Sequence, residues 1–344
     1  MLATEIVLPA IGEPETLEVR QRELAAPGAG EVIVRVEATG VSFAEQSMRR
    51  GLYPIGQPKF PFVPGYDLVG TVAALGPGVT GLAVGQRVAA LTKIGGWADH
   101  VTLPAAELLP VASALDPAEV ETLIVNGLTA WQMLHRQARI RRGQTILVHG
   151  ASGGVGTTLV QLARHAGIRV IGTAAPRHHA ALRELGVEPL DYNDPDLISS
   201  VRTLAPNGVD AAFDHLGLPS AAHSFGLLAP GGVLVCYGMV NAIRDQTPAM
   251  RAFATLFGRV ALWNLLPNRR RAAFYDLWGG HLVRRSAFYG RARTDMAQIL
   301  DLLAAGALTP QIAARLPLTQ AAEALRLAES RTAFGKVVLI PGLS

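Results

Sequence analysis

The feature that most constrains the fold is the run Thr145-Ile-Leu-Val-His-Gly-Ala-Ser-Gly-Gly-Val-Gly156, an apolar strand ending in a glycine turn that leads straight into a helix-forming segment, Thr157 to His165. Gly150, Gly153 and Gly156 stand three apart. Glycines so placed permit a tight turn and close approach of a pyrophosphate, whose charge is met by free backbone N–H groups and the positive end of the helix. A glycine pattern alone also describes a plain tight turn, so the surrounding context decides. That context is Ile168-Arg-Val-Ile-Gly172, Val187 to Asp191, Val209 to Asp214 and Val233-Leu-Val-Cys-Tyr237, apolar runs separated by helix-length segments. Near-continuously apolar strands alternating with helices predict a doubly wound parallel α/β sheet that binds a dinucleotide.

The cofactor's identity is read at the end of the second strand. An NAD site usually places an acid there for the ribose hydroxyls, whereas Gly172-Thr-Ala-Ala-Pro-Arg-His-His179 has none before Glu184. Arg177 can pair with a 2′-phosphate in a forked geometry and Thr173 can donate a hydroxyl, which favours NADP(H). Arg177 and His178 also fit a second reading, as solvated residues at a helix start.

The first 120 residues follow a different rhythm. In Glu31-Val-Ile-Val-Arg-Val-Glu37 the residues Val32, Val34 and Val36 alternate with more polar neighbours, and turns such as Leu75-Gly-Pro-Gly78 and Ala83-Val-Gly-Gln86 separate short strands. This predicts a largely antiparallel, barrel-like domain. The stretch from Leu216 to Ile243 lacks Asp, Glu, Lys and Arg and is long enough to span a bilayer. Its prolines and glycines predict instead a helix, a turn at Ala229-Pro-Gly-Gly232 and a buried strand. An aromatic and basic segment from Arg251 to Arg285, a helix around Met296 to Ala305 and a final strand, Gly335-Lys-Val-Val-Leu-Ile340, complete the chain. The simplest topology returns this C-terminal part to the first domain.

Composition narrows the function classes. A chain of 344 residues supports two cores, and its one cysteine, Cys236, rules out an internal disulfide and any cysteine cluster. The formal charge of +4 is thinly spread, apart from Arg269 to Arg271, so nucleic acid is not an expected partner. Glu5 and Pro9 interrupt the first segment, which argues against a secretory start, and a cytoplasmic location is expected.

Several segments in order resemble the medium-chain dehydrogenase/reductase superfamily, and within it the zinc-independent quinone oxidoreductases of zeta-crystallin-like and VAT-like type. They are Val41-Ser-Phe-Ala-Glu45, Arg50-Gly-Leu-Tyr-Pro54, Val63-Pro-Gly-Tyr-Asp-Leu-Val-Gly70, Val125-Asn-Gly-Leu-Thr-Ala-Trp131, Gly150 to Gly156, Tyr237-Gly-Met-Val-Asn241 and Gly335-Lys-Val-Val-Leu-Ile-Pro341. The resemblance spans almost the whole chain. It implies a GroES-like β-rich catalytic domain over 1–124, a Rossmann NADP-binding domain over 125–275 and a return to the catalytic domain over 276–344, with NADPH in the cleft between the two domains. It also implies a homodimer, whose interface would cover an otherwise exposed edge strand within 272–282.

Carried over residue by residue, the resemblance puts Gly150, Ser152, Gly153, Gly154, Val155 and Gly156 at the pyrophosphate, and Thr173, Arg177 and Tyr192 at the adenosine phosphate end. Asn126 and Thr129 would lie near the nicotinamide, with Gly238, Met239, Phe334 and Lys336 further along the cofactor. Read without it, Met239 and Phe334 are equally core residues and Thr129 an ordinary helix residue. Tyr53 and Ser42 are the candidate catalytic residues, hydroxyl donors in the two segments that resemble the family's substrate cleft. Tyr53 is the favoured proton donor or oxyanion partner; the alternative is that water protonates the product and Tyr53 only packs beside the ring. Ser42 departs from the family, where Asn is common, and its hydroxyl reaches less far.

Zinc dehydrogenases of the superfamily carry Gly-His-Glu where this chain has Gly65-Tyr66-Asp67, and they supply a cysteine from the early β domain. With neither present, no metal is expected; His100, His135, His149 and His165 read as structural or surface residues, with His149 the one beside the phosphate turn. Ser152 lies inside that turn and is no hydrolase nucleophile. The expected function is NADPH-dependent hydride transfer to a quinone or an α,β-unsaturated carbonyl. The alternatives are a biosynthetic enoyl or alkenal reductase and a non-catalytic, membrane-associated NADPH-binding protein. For the latter the segment Arg251 to Arg285 could act as an amphipathic surface helix, although a subunit interface or a lid is its more ordinary use.

Overall fold

The strand Glu31–Val41, buried on both faces over most of its length, organises the first of two compact units, formed by residues 1–128 and 284–344. Val32, Val34 and Val36 pack on one side with Leu68, Val72, Val88 and Val101, while Ile33 joins Ala3 and Leu24 on the other. The structure, a computed structural model, describes residues 1–53 and 56–343; Pro54 of the Arg50 to Pro54 motif lies outside them. In the main sheet of this unit Glu31–Val41 pairs antiparallel with Asp67–Leu75, His100–Pro104 and the last strand, Lys336–Ile340. The C-terminal strand thus returns to a sheet begun by the first hundred residues. A separate antiparallel ribbon joins Leu2–Val7 to Glu18–Glu23.

The second unit, 129–283, is built on six strands that pair only in parallel. In chain order they are Thr145–His149, Arg169–Ala174, Glu188–Asp191, Val209–Asp214, Leu228–Cys236 and Arg271–Phe274. Their spatial order is third, second, first, fourth, fifth, sixth, the Rossmann order. It places the topological switch point between the first and fourth strands, outside whose carboxyl ends such sheets bind ligands. Leu147, Ile171, Ala212 and Leu234 are fully buried, as expected of strands covered on both faces.

One local reading changes. The Ala229-Pro-Gly-Gly232 segment is not a turn before the strand but an irregularity within Leu228–Cys236, where the register against Val209–Asp214 shifts. Gly231 there has a φ of +88°, a conformation that glycine adopts without a Cβ penalty. The first part of the aromatic and basic segment lies in the helix Ala249–Asn264, whose Met250, Phe257 and Leu262 are exposed, and its middle forms the strand Arg271–Phe274. Among the described residues no helix is long and apolar enough to cross a membrane.

Candidate functional site

In the second unit the glycine loop joins the first strand to the helix Gly154–His165. Gly150 takes a φ of +66°, and the Ala151 N–H donates to the Thr173 carbonyl over 3.0 Å, tying the turn to the end of the second strand. A Cβ on Gly156 would lie 2.2 Å from the Gly150 carbonyl oxygen, so only glycine lets the helix start this close to the strand end. Gly153 is the N-cap and no side chain caps the helix. The first-turn N–H groups of Gly154, Val155 and Gly156 have no carbonyl one turn back to accept them. This is a cradle for an anion at the positive end of a helix, and it fits the pyrophosphate of a dinucleotide.

A polar network lies behind the loop. His149 Nδ1 is 3.1 Å from Thr173 Oγ1 and its Nε2 is 2.9 Å from Ser224 Oγ; Ser224 and Ser220 both donate to Asp214 Oδ2, at 3.0 and 2.7 Å. His149 is buried, and burial outweighs the nearby Asp214 to push its pKa down. It therefore stays neutral, one ring nitrogen donating and the other accepting, and links three strand ends. Thr173 is 1% exposed with its hydroxyl engaged by His149, so it braces the turn from within the sheet. His215 follows the fourth strand and lies against both loop glycines of the site: a Cβ on Gly150 would come within 2.4 Å of its ring, and one on Gly238 within 3.1 Å of its Cβ. Its buried Nδ1 has no partner among the described residues, and burial pushes its pKa down to about 4. Arg177 is exposed on the short helix Pro176–His178, Tyr192 is 42% exposed just beyond the third strand, and Met239 is buried beyond the fifth. Ser152 and Val155 are half-buried in the loop. All of these follow the carboxyl ends of the parallel strands.

The first unit gathers a second group. Gly65, at φ +105°, packs against the Gly96–Trp97 backbone, where a Cβ would come within 2.3 Å of the Trp97 nitrogen. The turn is pinned further by Thr92 Oγ1, which donates to the Gly65 carbonyl at 2.7 Å, and by the Thr92 and Lys93 N–H groups, which donate to the Tyr66 carbonyl. It delivers the buried Tyr66 hydroxyl to within 2.7 Å of the Tyr53 hydroxyl, with the two rings edge to face at 68°. Lys93 Nζ lies 5.4 Å from the centre of the Tyr53 ring. Ser42 is instead the N-cap of the helix Phe43–Arg49: its Oγ accepts from the Ala44 N–H at 3.1 Å and contacts Glu45 Oε2, which also accepts the Ser42 N–H at 2.8 Å. Glu45 is buried, and burial raises its pKa.

Asn126 and Thr129 are both buried and stand three residues apart on the helix Pro117–Trp131; Phe334 is half-buried. Lys336 is 3% exposed, its Nζ held 2.8 Å from Asp67 Oδ2 and 2.6 Å from Glu121 Oε1. Burial disfavours its charge, but the two carboxylates outweigh this and keep the ammonium above the ordinary lysine range. Burial raises the Glu121 pKa well above normal even against the pull of Lys336. Asp67 Oδ2 also accepts the Val125 N–H at 3.1 Å, anchoring the helix one residue before Asn126. The sequence reading missed Tyr66, Lys93, Glu121 and His215 as parts of these groups. Among the described residues no cluster of three or more His, Cys, Asp and Glu could hold a metal ion.

Comparison with known proteins agrees with this architecture. Residues 28–113 match the alcohol dehydrogenase GroES-like domain and residues 185–339 the zinc-binding dehydrogenase family. The rat synaptic vesicle membrane protein VAT-1 homolog is 34% identical over 98% of this chain and 84% of its own. A 2-haloacrylate reductase from Burkholderia sp is 30% identical over 96% of each. Among solved structures, a mycobacterial protein complexed with NADPH superposes with a TM-score of 0.81 at 30% identity, covering 98% of this chain and 100% of that one. A Pseudomonas syringae quinone oxidoreductase gives 0.84 at 29% identity, with the same coverage. With a GroES-like unit, a Rossmann unit and relatives alike over nearly its full length, the chain belongs to the quinone oxidoreductase-like members of the medium-chain dehydrogenase/reductase family and is an oxidoreductase.

Proposed function

We propose that this protein is an NADPH-dependent reductase of conjugated carbonyl compounds, quinones or α,β-unsaturated carbonyls, that needs no metal. The observation that carries the reading is the uncapped glycine-loop helix next to an acid-free second-strand end that exposes Arg177. NADPH, when bound, supplies the hydride. Gly150 to Gly156 hold the pyrophosphate, Arg177 pairs with the 2′-phosphate and Tyr192 borders the adenosine end. Thr173 shapes the turn from behind through His149. Asn126 and Thr129 orient the nicotinamide, and Gly238, Met239 and Phe334 border the cofactor. Lys336 acts indirectly, since Asp67 joins it to the helix that carries Asn126.

Tyr53 donates a proton, or a hydrogen bond, to the substrate oxygen as charge builds there. Ser42 keeps the chain entering the Phe43–Arg49 helix in place. Conjugated acceptors are supported by the relatives, one a reductase of 2-haloacrylate and another a quinone oxidoreductase. Location in the cytoplasm is part of the same proposal.

The test is steady-state NADPH oxidation with matched panels of quinones, simple enones and enoyl thioesters, for wild type and Tyr53→Phe. Loss of a general acid slows proton-dependent enone reduction by roughly 10²–10⁴-fold. A change under about threefold would reduce Tyr53 to a shape-determining residue. A strong preference for enoyl thioesters would favour a biosynthetic enoyl reductase, and NADPH binding without turnover of any acceptor would favour a non-catalytic role.

A further inference from the structure

We propose that Tyr66 is the positioning residue for Tyr53, holding and replacing its phenolic proton, and that Lys93 supplies the cation that favours the Tyr53 phenolate. This deepens the preceding reading and rests on Tyr53 being the proton donor. It starts from a contact between two loops: Tyr66, buried beside the Gly65 turn, places its hydroxyl against that of the half-buried Tyr53.

Three observations separate this arrangement from ordinary ring packing. The rings meet edge to face with the hydroxyls at the point of contact, 2.7 Å apart, the distance of a well-made O–H···O bond. A phenol has one proton and two lone pairs, so when Tyr66 donates, the Tyr53 proton is directed away from the pair. Tyr66 is also fixed by its backbone, since its carbonyl accepts two N–H groups and the preceding glycine admits no Cβ. Finally, Lys93 adopts a φ of +63°, a left-handed conformation that side chains other than glycine adopt seldom. The same backbone turn holds Lys93 to the Tyr66 carbonyl and sets its ammonium over the Tyr53 ring. A nearby cation and a donated hydrogen bond both favour the charged form of a phenol.

The step balances with the reduced nicotinamide as reductant. The substrate receives a hydride, with its electron pair, at the conjugated carbon and a proton at the enolate. The Tyr53 O–H bond breaks as the new bond to substrate forms. Tyr66 then transfers its proton to the Tyr53 phenolate and recovers one from solvent.

Two measurements test this, the first on unliganded protein. Tyrosinate absorbance is followed against pH for wild type, Tyr53→Phe, Tyr66→Phe and Lys93→Met. The chain has six tyrosines, and burial pushes the Tyr237 and Tyr289 phenols up, so an early one stands apart. Wild type is expected to show one phenol ionising about one pH unit below the others. That phenol should be missing in Tyr53→Phe and moved to higher pH in Tyr66→Phe and Lys93→Met. The second measurement is single-turnover enone reduction, in which Tyr66→Phe should lower the rate about tenfold, with substrate KM and NADPH Kd within twofold of wild type and the pH profile displaced upwards. Unaltered titration and unaltered single-turnover rate in Tyr66→Phe, with Tyr53→Phe slowed, would overturn the proposal while leaving Tyr53 as donor. An unaltered rate in Tyr53→Phe would remove the donor reading on which it rests.

Discussion

Gly156 approaches Gly150 so closely that a Cβ on the former would lie 2.2 Å from the carbonyl oxygen of the latter and 2.8 Å from Ala151 Cα. The contact is with backbone, which cannot rotate aside as a flexible side chain can. Gly156→Ala must therefore push the helix start away from the turn and spread the N–H groups of the anion cradle. Overpacking of this kind costs about 1–3 kcal/mol. We expect that loss in urea unfolding, together with at least a tenfold weaker NADPH Kd by fluorescence titration. An alanine variant that binds NADPH as wild type does would show that the loop is not the pyrophosphate site.

Arg177 discriminates between cofactors if it meets a 2′-phosphate. Removing a charge-assisted contact of that kind costs about 1.5–3 kcal/mol, so Arg177→Ala should weaken NADPH roughly 10- to 150-fold and leave NADH nearly unchanged. Equal losses for the two cofactors in parallel titrations would place Arg177 outside the phosphate site.

The histidines behind the loop make stability depend on pH. Burial lowers the pKa of His149, and that of His215 to about 4, whereas an unfolded histidine titrates near its ordinary value of about 6.5. Over the window from about pH 6.5 down to about 4 the unfolded chain binds more protons than the folded one, so stability falls as pH falls. The contribution is complete above the unfolded pKa and lost through the folded one. Urea midpoints measured across this window should decline in wild type and decline less steeply in His215→Asn. Parallel profiles for the two proteins would show that His215 takes up protons in the fold as it does in the unfolded chain, with no lowered pKa.

Much of this arrangement was legible in the sequence where the physical demand is local. The glycine loop announces itself because a tight turn and a close helix start require glycine at neighbouring positions, and the apolar runs after it reveal a sheet buried on both faces. The same burial hides other facts. Every residue from Val170 to Ala174 is buried, so no alternation tells that the Thr173 hydroxyl turns inward to His149. Gly231 and Gly232 mark a bend, but glycines do not distinguish a turn from an irregularity inside a strand. Ser42 could have been read as a helix cap, since Ser42-Phe-Ala-Glu45 has the capping-box spacing. Lys336 and its carboxylates carried no such signal, because Asp67, Glu121 and Lys336 are brought together only by tertiary structure. Tyr66 was noted in the sequence for the histidine it replaces, and only the fold shows which hydroxyl it meets.

The sixth parallel strand, Arg271–Phe274, ends the sheet and pairs with one neighbour only among the described strands. Unpaired strand edges invite association, and two-fold pairing of this edge with a second copy would cover it. Light scattering at micromolar concentration is expected to give twice the 36.3 kDa mass of the chain. A mass equal to the single chain would contradict the dimer.

Hydride transfer to a conjugated acceptor is the central claim, and isotope transfer from the cofactor reads it directly. NADPH carrying deuterium at nicotinamide C4, on the transferred face, is incubated with enzyme and an α,β-unsaturated ketone in unlabelled water containing a metal chelator, and the product is analysed by mass spectrometry and NMR. The account predicts one deuterium at the β-carbon of the saturated ketone, a solvent proton at the α-carbon and no loss of rate with chelator. Oxidation of the labelled cofactor with no deuterium in the product, or reduction abolished by the chelator and restored by zinc, would contradict it.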